Sequence, residues 1–173
     1  IHIPTFGDSQ NFGDLTQETT RRGCSSSVRG LFGGGFVSPT GTNVMDYVTI
    51  ASEGNAIDFG DMTHQRRNHA AVSSSTRGIW SGGESPATIN VMDYVEIATI
   101  GNSLDFGDLI RIRKGHMGIN SSVRGIWVAS QESGAGTGEA EMITIASKGN
   151  SVRFGEFSDG PRSNGGAASN PIK

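Results

Sequence analysis

A Phe-Gly-acid tripeptide returns along this chain at an almost fixed interval. It stands at Phe12-Gly13-Asp14, Phe59-Gly60-Asp61 and Phe106-Gly107-Asp108, and once more as Phe154-Gly155-Glu156, so that successive phenylalanines are 47, 47 and 48 residues apart. An Arg-Gly pair followed by an aliphatic and an aromatic residue keeps the same interval at Arg29, Arg77 and Arg124. Self-similarity at one such period marks a repeat architecture, in which each unit buries its apolar face on its neighbours. Any fold for this chain has to treat these segments as equivalents.

The second unit shows what one repeat contains. Asn68–Ser74, Arg77–Gly82, Asn90–Ala98 and Leu104–Leu109 read as four strands. In the third of them Val91, Asp93 and Val95 alternate with Met92, Tyr94 and Glu96, the period-two pattern of a strand with unlike faces. Gly82-Gly83 and Gly101-Asn102 supply turns, and Glu84–Ile89, with Pro86, is expected to be an exposed loop. The 26 glycines and the scarcity of long aliphatic side chains favour short strands and tight turns. No stretch has the apolar period and caps of a long helix.

Four short antiparallel strands make one small sheet that cannot bury both faces alone. Sheets stacked around an axis bury one another, so the expected fold is an all-β β-propeller with four-stranded blades, either partial or completed by oligomerisation. Residues 1–15 read as the end of a preceding blade, 16–62, 63–109 and 110–157 as three complete units, and 158–173 as the start of a further one. The chain is therefore expected to be a window from a longer repeat protein or a processed product.

Specific residues carry a family resemblance. Arg66-Arg67-Asn68-His69-Ala70-Ala71, then Gly78-Ile79-Trp80-Ser81-Gly82-Gly83, then Met92-Asp93-Tyr94 resemble the kelch repeat: an Arg/His opening, a second strand ending in Gly-Gly, and an acidic-aromatic third strand. The wider pattern is similar to kelch-like repeats of bacteriophage (cyanophage-type) tail and fibre proteins. The third unit departs from it, with Ala129-Ser130 at the glycine pair and Ala140-Glu141-Met142 for Met-Asp-Tyr. The first carries its arginines as Arg21-Arg22 with altered spacing.

Several residue sets invite a chemical reading. Asp58-Phe59-Gly60 and Asp105-Phe106-Gly107 spell a kinase metal-binding tripeptide, but a kinase also needs a Gly-rich loop, a strand lysine and a catalytic loop, all missing here. Their repetition points to architecture, with Phe packed between sheets and Gly turning the chain. His69 and His116, 47 apart, are expected to satisfy backbone groups and not to bind a metal. Arg29, Arg77 and Arg124 either pair with acids such as Asp14, Asp61, Asp108 and Glu156, or with carbonyls, or form a cationic ring for an anionic sugar or phosphate. Phe32, Trp80 and Trp127 share one position, suited to intersheet packing or, less simply, to stacking on sugar faces. The run of close oxygen ligands that calcium requires is missing around Asp58, Asp61, Asp105 and Asp108.

No cofactor and no metal are expected. With Cys24 the one cysteine, no intrachain disulfide and no cysteine zinc site can form. A net charge of −3 argues against nucleic acid, and no apolar run reaches the roughly 20 residues of a membrane span. Oxidase chemistry would need Tyr and His copper ligands, yet Tyr47 and Tyr94 are repeat equivalents; a sialidase would need an Arg triad with a Tyr nucleophile, and the arginines are periodic. Nothing sets Ser, His and Asp in a nucleophilic triad.

The expected role is a non-enzymatic structural and adhesion module. Its variable segments, Ser38–Asn43, Glu84–Ile89 and Gln131–Gly138, would face a partner protein or a host-surface glycan. Candidate ligand-binding residues are Arg29, Arg77, Arg124, Glu84, Gln131 and Glu132. The phage resemblance implies a virion location, with other virion proteins or further copies of the chain as partners. The alternatives are an intracellular kelch-type protein-binding scaffold and a propeller glycosidase or oxidase.

Overall fold

The computed structural model describes residues 8–128, 130–132 and 135–156, and for 130–132 and 135–137 the backbone alone. Fifteen strands and no helix occur among the described residues. In the first unit β1 (Arg22–Ser25), β2 (Arg29–Gly33), β4 (Thr40–Thr49) and β5 (Ile57–Arg66) form an antiparallel sheet in that order, with short β3 (Phe36–Val37) folded back on β4. The second unit repeats it as β6 (Ala70–Ser73), β7 (Arg77–Ser81), β8 (Val91–Glu96) and β9 (Leu104–Asp108). The third uses β10 (Met117–Asn120), β11 (Arg124–Val128), β14 (Glu139–Thr144) and β15 (Val152–Glu156), with a separate hairpin of β12 (Ser130–Glu132) and β13 (Ala135–Thr137) between its second and third strands.

All four strands expected in the second unit are present, each shortened by turn chemistry at its ends. Asn68 has a φ of 55° and precedes β6, and Gly82, with a φ of 57°, ends β7. Two of the expected loops need correcting. Within Ser38–Asn43, β4 begins at Thr40 and Gly41 and Thr42 are buried, so the exposed part is 38–40. Much of Gln131–Gly138 is the β12–β13 hairpin, where strand pairing satisfies the backbone polar groups.

The sheets stack face to face and share two apolar cores. Leu31, Met45, Tyr47 and Phe59 of the first sheet meet Trp80, Val95 and Ile97 of the second. Ile79, Met92, Tyr94 and Phe106 of the second meet Trp127, Ile143 and Ile145 of the third. In both, the tyrosine and phenylalanine rings sit edge to face, 5.9 Å between centroids. Each sheet therefore has a front face, carrying the Tyr–Phe pair or, in the third, Met142 and Phe154, and a rear face, carrying the strand-two aromatic. The first strands β1, β6 and β10 adjoin one another.

The Phe-Gly-acid tripeptide has its physical cause at these seams. Phe59 and Phe106 fill the cores, 0% and 2% exposed. The glycine does not turn the chain as expected. Gly60 and Gly107 lie within β5 and β9 beside a register shift, with φ of 133° and 140°. A Cβ on Gly60 would lie 2.6 Å from the Gly101 carbonyl, and one on Gly107 2.5 Å from the Gly149 oxygen, so the next sheet's backbone leaves room for hydrogen alone. Around each glycine the flanking groups pair across the seam: Gly101 N donates to Phe59 O, Ser103 N to Asp61 O, and Asp61 N to Asn102 Oδ1, at 2.8–3.0 Å. Gly149, Ser151 and Asn150 do the same for Phe106 and Asp108.

Candidate functional site

A buried ion pair sits at the root of each unit. Arg66, whose side chain is wholly enclosed, places Nη2 2.7 Å from Asp93 Oδ2 and donates through Nη1 to the carbonyls of Val91 and Gly82. Thr63 Oγ1 donates to the other carboxylate oxygen at 2.5 Å. The first unit repeats the arrangement with Arg21, Asp46 and Thr16, the third with Arg113 and Glu141. Burial pulls the Arg21 and Arg66 guanidiniums below their ordinary value, and the facing carboxylate works against that. Charges enclosed like this persist because they are paired and hydrogen-bonded. The sequence reading missed these pairs as pairs. Their signal was present, since Arg21, Arg66 and Arg113, and Asp46, Asp93 and Glu141, recur at close to the repeat interval.

The histidines are seam residues. His69 Nε2 lies 3.1 Å from the Gly33 carbonyl of the first sheet, and His116 Nε2 lies 2.9 Å from Ser81 Oγ of the second. Burial, reinforced by nearby arginines, holds the His69 imidazole well below its usual value and pushes that of His116 down to about 3. Both are neutral at pH 7. Arg22, at the register position of Ala70, approaches the same seam from the first sheet and donates from Nε to His69 O. Among the described residues no group of three or more His, Cys, Asp or Glu converges as a metal site.

Arg29 and Arg77 reach across the seams as the second reading of their chemistry allowed. Arg29 Nη1 donates to Ile97 O, and Arg77 Nη1 to Ile145 O, both at 2.9 Å in the following sheet. Each guanidinium also lies over its own unit's tyrosine, Tyr47 or Tyr94, under 5 Å from the ring centroid. The expected acid partners are replaced by a different one: Arg77 pairs with Glu96, its cross-strand neighbour, at 2.6 Å. The corresponding residue opposite Arg29 is Thr49. Arg124 is exposed; its backbone N–H donates to Ser121 Oγ, but its guanidinium has no hydrogen bond or ion pair among the described residues.

The aromatics are packed away from ligands. Trp80 and Trp127 are completely buried, and Trp80 Nε1 donates to Arg22 O of the preceding sheet. Phe32, on the rear of the first sheet, is half-buried. Glu84 is buried where exposure was expected, held by Arg67 at 3.4 Å, Lys114 at 2.5 Å and Asn68 at 3.0 Å. Burial works to raise its carboxyl, but the Lys114 and Asn68 hydrogen bonds and the Lys114 and Arg67 charges outweigh this and hold it below the usual range. The exposed tip of that loop is Pro86-Ala87. Gln131 and Glu132 lie in β12, and their side chains are outside the described residues.

Among the described residues the buried ionisable groups, the three ion pairs with His69, His116 and Glu84, are thus tied into strand and seam contacts. No protein-family model matches the chain, and no curated protein matches it.

Proposed function

We propose that the three sheets are blades of a kelch-like β-propeller that serves as a non-enzymatic display scaffold, part of a virion tail or fibre, offering its strand-two-to-three connections to a partner protein or a host-surface glycan. One observation carries this reading: the units repeat in their strands and seams and differ in those connections. The first has the short β3 turn-back, the second a loop tied through Arg67, Glu84 and Thr88, the third an added hairpin. A fixed frame bearing unlike loops is how repeat scaffolds separate stability from recognition. The virion setting rests on the resemblance of the repeat wording alone.

A binding screen of the purified chain against bacterial surface polysaccharides tests it. Saturable binding, abolished when 84–89 and 130–138 are exchanged for a short Gly-Ser turn while the fold persists, is the expected result. Binding that survives both exchanges would overturn the display role, as would measurable turnover of a glycoside.

A further inference from the structure

The two outer faces of the stack are an unmatched pair that the interior seams already show how to join. In the inner seams the front-face phenylalanine is buried and the rear-face isoleucine is too, Ile97 being 2% and Ile145 1% exposed. At the ends of the stack the same positions are open: Phe154, on the front of the third sheet, is 55% exposed, and Ile50, on the rear of the first, is 46% exposed. On the third sheet the polar half of the seam is open as well. Arg124 occupies the position of Arg29 and Arg77 without their carbonyl partner, and a Cβ added to Gly155 would meet nothing, whereas on Gly60 or Gly107 it would strike the next sheet.

We infer that two copies of this chain dock head to tail, the front of the third sheet in each seating on the rear of the first sheet in the other. The occupant is argued from the chain's own inner seams, which supply every contact class needed. Ile126, Met142 and Phe154 take the places of Ile79, Tyr94 and Phe106, and they receive Phe32, Val48 and Ile50 in the places of Trp80, Val95 and Ile97. Arg124 donates to the Ile50 carbonyl of the partner copy, as Arg29 does to Ile97 and Arg77 to Ile145. Three sheets from each copy give six, within the roughly four to eight blades that close a propeller. This closure rests on the propeller reading above.

Docking is an exchange of strands. Phe12-Gly13-Asp14 already lies along the rear edge of the first unit: Gly54 N donates to Phe12 O and Ala56 N to Asp14 O, both at 2.8 Å, and Asp14 N to Asn55 Oδ1 at 3.0 Å. These are the bonds that Phe59–Asp61 and Phe106–Asp108 make to their following sheets. Phe154-Gly155-Glu156 of the second copy, with the same chemistry, displaces this segment. The chain's own N-terminal tripeptide therefore competes with dimerisation, and weakening its grip strengthens the dimer.

Sedimentation equilibrium of the full chain over a wide concentration range tests the inference. The expected result is a reversible species of twice the 18.1 kDa chain mass. Gly155→Val and Arg124→Glu alter residues with no contact of this kind in the single chain, so each should melt as the parent does at concentrations where both are monomeric, and weaken dimerisation at least tenfold. Gly13→Val, which crowds the Gly54 carbonyl, should strengthen it. A chain that stays monomeric at all concentrations overturns the inference, as does a dimer indifferent to Gly155→Val and Arg124→Glu. An open-ended ladder of masses overturns the closed pair. An internal control separates the two readings: a Cβ on Gly78 would lie 2.7 Å from Cys24 Sγ, near the span across a bonded sulfur with an S–S bond of about 2.05 Å, so Gly78→Cys should form an intrachain disulfide. Its formation in a monomeric chain leaves the stacking intact and rejects the docking alone.

Discussion

Arg66 and Asp93 meet at 2.7 Å with neither side chain exposed to solvent, and they join the end of β5, in the first sheet, to the third strand of the second. Removing one member leaves the other charged and enclosed. Asp93→Ala should therefore lower the unfolding free energy by about 3–5 kcal/mol in urea denaturation. Arg153→Ala, which removes a half-exposed partner of Glu156, should cost about 0–1 kcal/mol. The double replacement Arg66→Met with Asp93→Leu should cost less than Asp93→Ala alone, because no unpaired charge remains. Equal losses from the enclosed and the surface pair would show that burial does not govern this contact.

Gly60 and Gly107 are held by two independent constraints, a positive φ and the backbone of the next sheet. Gly60→Ala or Gly107→Ala should destabilise by about 1–3 kcal/mol from backbone strain, before the steric collision is added. Gly155→Ala, at the same repeat position but with open space around it, should stay within about 0.5 kcal/mol of the parent. Thermal melts of the three variants in parallel decide the matter.

The repeat interval made the sheets legible, since period-two alternation and glycine punctuation are local properties that a sequence displays directly. The seams were legible only by halves. Phe59 and Phe106 could be assigned to the space between sheets, but Gly60 was read as a turn because the residue that forbids it a side chain, Gly101, is 41 positions away. The sequence leaves Arg77 an acid, a carbonyl or a cationic ring, and in the fold it takes the first two: Glu96 across the strand and Ile145 across the seam. The sequence places Glu84 on an exposed loop because no local pattern announces Lys114, 30 residues on. Loop shape was least legible. The β12–β13 hairpin comes from pairing within a polar segment that lacks the apolar alternation of the other strands.

Neutral burial of two imidazoles sets a pH dependence. His69 and His116 take up protons in the unfolded chain as the pH falls through about 6.5, while the folded chain leaves them unprotonated, His116 down to about 3. The unfolded state then binds more protons, so stability is full above 6.5 and declines as the pH drops below it. The slope approaches about 1.4 kcal/mol per pH unit for each histidine. Urea titrations from pH 7.5 to 4.5 should show this decline, and His116→Gln should remove close to half of it. A flat profile over this range would mean that the imidazoles are accessible to protons in the folded chain.

The buried carboxylate of each unit is matched to its surroundings, and the match can be exchanged. In the first two units Thr16 and Thr63 give a hydroxyl to Asp46 and Asp93. The third unit has Ile110 at that position, and there the acid is Glu141, whose Oε2 accepts from the Ile110 N–H at 2.9 Å, as Asp46 does from Thr16 N at 3.1 Å, and takes its hydroxyl from Ser151 instead. Chain length and hydroxyl source have changed together. Glu141→Asp alone should withdraw the carboxylate from Ser151 and leave it short of a donor, at about 1–3 kcal/mol for a buried group left unsatisfied. Ile110→Thr alone should replace apolar contact with a hydroxyl that faces an already occupied oxygen. Together they recreate the constellation of Thr63, Asp93 and Ser103, so the double variant should be more stable than the sum of the singles by about 0.5–3 kcal/mol, the range for residues sharing one hydrogen-bond network. Additive losses in a urea-denaturation cycle would show that the two positions vary independently, and that the agreement between units reflects packing and not the hydrogen bonds of the acid.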